Sequence, residues 1–151
     1  MSRTAAGSSI RVRRARLTDA PRLAALSGEL GYPTTTKEMA QRMKRVGRAA
    51  QNAVFVAESP VAGVVGWGHV SVNHLVEVGT RAELNGLVVA EGQRSLGAGA
   101  RILAAVEDWA RKHGCCSMSV RSNVIRERAH KFYEQQGYEH YKTQKAFRKP
   151  L

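Results

Sequence analysis

The chain has 151 residues, 43% of them hydrophobic, which is enough for one well-packed core and excludes a disordered tail protein. Its uninterrupted apolar stretches, such as residues 87–90, fall far short of the roughly 20 residues needed to cross a bilayer, so no membrane-spanning helix is expected. Lys and Arg number 24 against 12 Asp and Glu, a balance that attracts phosphate in nucleic acid, at an acidic membrane surface or on a cofactor without choosing among them.

Residues 1–9 are small and basic with no apolar h-region, so they read as a flexible tail and not as a secretory signal, and a cytoplasmic location is expected. No repeat, low-complexity tract or linker interrupts residues 10–151, which predicts a single domain there. Residues 10–14 alternate apolar and basic side chains as a strand, β1, and Thr18 is placed to cap a helix, α1, that carries Asp19 and Pro21 in its first turn and runs to about Leu30. Thr35 and Glu38 form a capping box that opens a short, basic helix, α2, ending near Arg48. Residues 53–58 (β2), 64–78 (β3, with Trp67, His69 and Ser71 on one face) and 82–90 (β4) read as a meander, turning at 59–63 and 79–81. Ile102, Leu103, Val106, Trp109 and Ala110 follow helical spacing after Gly99, predicting α3, with Gly114 as a left-handed C-cap residue. Residues 117–121 read as a buried strand, β5. Ile125, Ala129, Phe132 and Tyr133 mark one face of a helix, α4, ended by Gly137, and residues 138–149 supply one or two closing strands, β6 and β7. Cys115 and Cys116 are adjacent; a mutual disulfide needs a strained turn, and neighbouring strand side chains point to opposite faces, so both are expected to be reduced and no metal site is expected.

The most informative feature is the strand at 84–90 leading through Arg94, Ser95, Leu96, Gly97, Ala98 and Gly99 into the strong helix. A glycine-bearing turn into a helix N-terminus offers unpaired N–H groups and the positive end of the helix dipole, and lets a phosphate approach the backbone. It is not a Walker A loop, because no Gly-Lys-Ser/Thr follows, and it lacks the third glycine of a dinucleotide fingerprint. Alone it leaves phosphate binding and a tight structural turn both open.

The run from Arg94 to Gly99 resembles the acetyl-CoA pyrophosphate loop, Gln/Arg-x-x-Gly-x-Gly/Ala, of the GNAT superfamily of N-acetyltransferases. Residues 82–89 are similar to that family's fourth strand, and residues 129–138 to its Ala-x-x-x-Tyr-x-x-x-Gly-Phe/Tyr helix, in the family's order. The resemblance spans roughly residues 10–149 and implies an α/β (α+β) GNAT fold. That fold is a mixed central sheet of six to seven strands flanked by about four helices, in the order β1-α1-α2-β2-β3-β4-α3-β5-α4-β6-β7. It further implies an acetyl-CoA-dependent N-acetyltransferase in which the amine attacks the thioester directly in a ternary complex, with no metal. Two positions depart from the family pattern. Ser95 replaces the first glycine of the commoner loop, and the asparagine often found seven residues before the helix tyrosine is Arg126 here, with Asn123 three residues earlier.

Carried over residue by residue, the resemblance implies that the fourth strand splays from the fifth and that backbone groups of Leu87, Val88 and Val89 pair with the pantetheine arm. Arg94 and the N–H groups of Ser95, Leu96, Gly97, Ala98, Gly99 and Ala100 are expected to hold the pyrophosphate, and Asn123 or Arg126 to touch the cofactor. Glu83 is expected to take the amine proton, directly or through water, with an exposed strand carboxylate as the alternative. Tyr133 is expected to serve the departing thiolate, with core packing as the alternative, and the N–H of Val88 to face the carbonyl oxygen. His69, His74, His130 and His140 have no metal spacing and read as structural or solvated; His74, Glu77 and Asn85 are placed where they could border the acceptor, and Trp67 and Trp109 belong to the core.

The acceptor is expected to be a primary amine on a small molecule, the alternative being a protein or peptide amine. A homodimer is left open. Residues 27–48 hold Glu29 and Glu38 against Lys37, Arg42, Lys44, Arg45 and Arg48, which favours a small or acidic acceptor over a polycation. A nucleic-acid-binding module rests on the net charge of +12 alone, with no recognisable motif, so specific nucleic-acid binding is not expected.

Overall fold

A computed structural model of the chain describes residues 9–94 and 96–151. They fall into two compact units, one reaching to Arg121 and a smaller one from Ser122 to Leu151. In the first, β1 (Arg11–Arg14), β2 (Asn52–Ser59), β3 (Gly63–Leu75), β4 (Gly79–Val89) and β5 (Met118–Val120) form one sheet in sequence order. The first four strands pair antiparallel with one another, and β5 runs parallel to β4. Short turns join β2 to β3 and β3 to β4, whereas α3 (Ala98–Lys112) crosses over between β4 and β5 and returns the chain in the same direction. Helices α1 (Ala20–Glu29) and α2 (Thr36–Arg48) lie between β1 and β2 in the chain.

Cross-strand partners share a face, so Val56, Trp67 and Val88, paired in turn, look the same way. Leu23 and Leu26 of α1 and Met39 of α2 join Val56 and Val88 in one buried cluster, with Trp67 packed against it. The opposite face receives α3. There a Cβ on Gly68 would lie 2.6 Å from Cγ2 of Ile102, a fully buried residue, so the bare backbone of β3 is what lets the helix settle.

The capping box forms as its spacing predicts: Oγ1 of Thr35 accepts the N–H of Glu38 at 3.1 Å. Thr18 does not cap α1. Residues Leu17–Asp19 form a single 3-10 turn instead, because the Asp19 carboxylate accepts the Arg16 N–H at 2.8 Å and both Arg13 guanidinium nitrogens at 2.9 Å, tightening the chain before the helix starts. The β3–β4 turn lies at residues 76–78 and not at 79–81, since pairing continues to Leu75 opposite Gly79. The strand β5 is half-buried and shorter than its predicted span.

In the second unit α4 spans Glu127–Gln135, and Gly137 ends it at a φ of +91°. Ile125, predicted on its buried face, precedes the helix and is 79% exposed. Residues 138–149 form no strand, so the sheet has five strands among the described residues and not six to seven. A strand exists only where a neighbouring edge takes its N–H and C=O groups, and this segment, rich in Lys and Arg, joins no ladder and leaves Phe147 91% exposed. No helix among the described residues is long and apolar enough to cross a membrane. Cys115 is buried, Cys116 exposed, and both are free.

Candidate active site

Asn85 bulges out of β4: Leu84 faces Val70 and Gly86 faces His69, so one extra residue is taken up between them. Pairing with β5 covers only Ala82, Glu83 and Leu84. Beyond the bulge, Leu87, Val88 and Val89 pair with β3 alone among the described residues, which leaves the other edge of β4 open to an extended ligand backbone.

The open edge leads into the glycine turn. Gly97 is the N-cap of α3 with φ +80° and ψ 9°, a left-handed conformation that favours glycine, and nothing lies within 4 Å of where its Cβ would be. The N–H of Arg101 closes the first helical bond onto the Gly97 carbonyl at 3.1 Å. By the geometry of a helix start, the N–H groups of Ala98, Gly99 and Ala100 then have no acceptor within the helix. No acidic side chain stands in this first turn, and the positive end of the helix dipole adds to the attraction for an anion. Arg94 is exposed, its Nε donating to the Val89 carbonyl at 3.3 Å, and the Leu96 N–H donates to the Gln93 carbonyl at 3.3 Å. Ser95 lies outside the described residues, as do residues 1–8 of the predicted tail.

Glu83, the fifth residue of β4 in its pairing with β3, is only 6% exposed, yet both its oxygens have partners. Asn73 Nδ2 donates to Oε2 at 3.4 Å, and Arg121 Nε lies 3.3 Å from Oε1. Ser71, directly opposite Glu83, donates to Asn73 Oδ1 at 3.0 Å and accepts from Asn85 Nδ2 at 2.9 Å. On the other side Ser119 of β5 is the cross-strand partner of Glu83, and its Oγ is buried without a hydrogen-bond partner among the described residues. The Arg121 side chain is 77% exposed, so it is able to swing away from the carboxylate it holds. Sequence reasoning missed Asn73, Arg121 and Ser119. Polar residues at 69, 71 and 73 alternating with buried Val70 and Val72 carry a signal for the first. Arg121 and Ser119 reach Glu83 only through the parallel β4–β5 register, which has no local sequence mark.

The histidines have structural partners. His69 Nε2 meets Asn52 Oδ1 at 2.8 Å, and burial lowers its pKa, keeping the ring neutral. His74 pairs with Thr80 at 2.7 Å near the β3–β4 turn that contains Glu77, and His113 stacks on Trp109 with ring centres 4.0 Å apart.

In the second unit Tyr133 packs edge-on against Phe132 at 5.3 Å and Tyr138 at 5.8 Å. Burial pushes its phenol up to about 12, with the Arg126 charge pulling weakly the other way. Asn123 Oδ1 accepts the Ile125 N–H at 3.1 Å, and the Asn123 carbonyl accepts from His130 at 2.9 Å, while Arg126 stands at the N-cap of α4.

Residues 22–138 match the model of the acetyltransferase (GNAT) family. An aminoglycoside N(6')-acetyltransferase type 1 from Stenotrophomonas maltophilia is 32% identical over 106 residues, 68% of this chain and 69% of that protein. Among solved structures, an aminoglycoside antibiotic 6'-N-acetyltransferase from Acinetobacter baumannii superposes with a TM-score of 0.82 at 16% identity, covering 94% of this chain and 99% of that one. An aminoglycoside N-acetyltransferase in complex with CoA gives a TM-score of 0.83 at 18% identity, with 94% and 95% covered. A putative acetyltransferase from Agrobacterium tumefaciens gives 0.80 at 22%, with 92% and 99% covered. At these identities the structural likeness speaks for the fold.

Proposed function

The chain belongs to the acetyltransferase (GNAT) family and is an acetyl-CoA-dependent N-acetyltransferase, and from that premise we propose that it acetylates the primary amine of a small molecule by direct attack with both substrates bound. The observation that carries the reading is the continuity of the open β4 edge with the Gly97 turn and the bare first turn of α3. An extended pantetheine arm fits the first, and a pyrophosphate fits the space where Gly97 has no Cβ. When bound, acetyl-CoA supplies the acetyl group as an activated thioester.

Each residue then has defined work. Leu87 and Val89 present their backbone groups to the arm and to the carbonyl oxygen as negative charge grows there, whereas Val88, two residues before Ala90 whose N–H donates to Val65, turns its own N–H into β3. Arg94, Ser95, Leu96 and the N–H groups from Gly97 to Ala100 hold the pyrophosphate, with Asn123 or Arg126 as a further cofactor contact. A free-lysine-like amine with a pKa near ~10.4 costs roughly 4–5 kcal/mol to deprotonate at pH 7, so a base is needed, and Glu83 takes that proton. The Tyr133 hydroxyl donates a hydrogen bond to the sulfur as it leaves.

A small-molecule acceptor is supported by the relatives, whose names specify aminoglycosides. The α2 segment of this chain is strongly basic, with Glu38 as its one carboxylate, which argues for an acceptor carrying fewer positive charges than those.

The test is CoA release across a panel of amines, aminoglycosides included, together with thermal melts. Acetyl-CoA at a hundredfold excess over its dissociation constant is expected to stabilise the fold by about 2.7 kcal/mol. Gly97→Asp, which places a carboxylate in the cradle, should abolish that shift. An undiminished shift in the variant places the pyrophosphate elsewhere, and turnover only with peptide amines overturns the small-molecule acceptor.

A further inference from the structure

A surface cavity of about 320 Å³ lies where the end of β1 and the 3-10 turn after it meet the last turns of α2 and the start of β2. It is not part of the acetyl-transfer site. Arg14 faces Phe55, Phe55 faces Gly68 and Gly68 faces Leu87, so three strand spacings, roughly 14 Å, separate the cavity's β1 wall from the open edge of β4.

Its lining is chemically one-sided. Arg14, Arg16, Lys44 and Arg48 come to it from three different elements, and no Asp or Glu is among the residues that form it. All four cations are exposed, and among the described residues none forms an ion pair. Arg14 carries its guanidinium over the Phe55 ring, 5.4 Å from its centre, and Arg16 acts on the Asp19 carboxylate; the like charges around the concavity still repel each other, and an anion carrying several charges relieves that. Beside the charges stand apolar side chains, Leu17, Met43 and Val46, two of them half-buried and Leu17 49% exposed. The volume is at the lower end of the ~300–1,000 Å³ range of small-molecule sites.

We propose that this cavity binds a nucleotide, its phosphates among Arg16, Lys44 and Arg48 and its flat base against Leu17, Met43 and Val46. The apolar wall favours a base-bearing ligand over a bare phosphate or a sugar phosphate. The assignment does not rest on the acetyl-transfer reading, and the two fail separately.

The probe is ATP, titrated calorimetrically into protein already saturated with acetyl-CoA, so that the Gly97 cradle is taken. One ATP per chain is expected. Lys44→Ala with Arg48→Ala, both on the solvent side of α2 where alanine favours the helix, should weaken it about tenfold or more, the loss of charge-assisted contacts. Arg42→Ala with Arg45→Ala removes the same charge from the same helix outside the cavity and should leave binding within about twofold. Gly97→Asp should not change it. The proposal is overturned if acetyl-CoA or Gly97→Asp abolishes ATP binding, if both double variants lose equally, or if inorganic pyrophosphate or glucose 6-phosphate binds as tightly as ATP. It is also overturned if an RNA oligonucleotide binds and ATP does not, which makes the basic helix a nucleic-acid surface.

Discussion

Glu83 is a buried carboxylate that meets Asn73 on one oxygen and the exposed Arg121 on the other. If its work is to accept a proton, it matters most where the amine is mainly protonated. Glu83→Gln keeps the size and one acceptor oxygen, gives up the charge that faces Arg121, and accepts no proton. A large loss of kcat/KM near pH 7 is therefore expected, narrowing as pH rises toward the amine's own pKa and smaller for amines of low pKa. Parallel pH profiles for variant and wild type assign Glu83 to positioning. At Tyr133 the magnitudes decide between two roles. A phenol pushed up to about 12 is a weaker acid than a thiol near ~8.5, so full proton transfer to the departing thiolate runs uphill by roughly 5 kcal/mol, whereas a hydrogen bond does not. Tyr133→Phe should lower kcat by about tenfold or more while leaving acetyl-CoA affinity within about twofold, measured by steady-state rates and calorimetry; unchanged kcat makes the residue a packing one.

At the scale of elements, the close seat of α3 on β3 is what aligns the glycine turn with the end of β4. Gly68→Ala puts a methyl 2.6 Å from Ile102, which is fully buried and has no room to yield. A cost of about 1–3 kcal/mol is expected in denaturant melts. Gly28→Ala in α1, with nothing within 4 Å of the new methyl, should instead be neutral or stabilising by up to ~1 kcal/mol, and equal effects at the two sites refute the steric account. The elements that were legible are those whose signal is local: the Thr35–Glu38 box, the apolar stripe of α3 and Gly114, left-handed at a φ of +80°. The glycine turn before α3 was legible for the same reason, a glycine pair beside a helix start. What escaped was decided at a distance. Thr18 lost its capping role to the Asp19–Arg13 contact, Val76 and Val78 read as strand though they sit in the turn, and residues 138–149, read as closing strands, have no ladder to join. Asn73, Ser119 and Arg121 converge on Glu83 only once the sheet register exists.

For the molecule as a whole, a formal charge of +12 at neutral pH means that every carboxylate neutralised by acid adds to a repulsion already present. The carboxylate with most to lose is Asp19, which joins the end of β1 to the entry of α1. It accepts two bonds from Arg13 and one from the Arg16 N–H, with side-chain exposures of only 9% for Asp19 and 13% for Arg13. The Arg13 guanidinium holds its carboxyl below the usual aspartate range, while Asp19 and Glu58 keep Arg13 charged throughout. The sign follows from that direction. A group whose folded pKa is depressed stabilises fully above its unfolded value, near ~3.9, and loses that contribution as pH falls through the lower folded value. Asp19→Asn takes the two-bond partner from Arg13 while its pair with Glu58 at 3.0 Å remains, and should cost about 1–3 kcal/mol at pH 7. The gap in Tm between variant and wild type should stay constant down to about pH 5. Below that it should close, because the wild type gives up in acid what the variant never had. Added salt should raise both curves together by screening the surplus positive charge. A gap that persists unchanged to the lowest pH at which both fold means that Asp19 contributes through shape and hydrogen bonding, and that its charge does not matter.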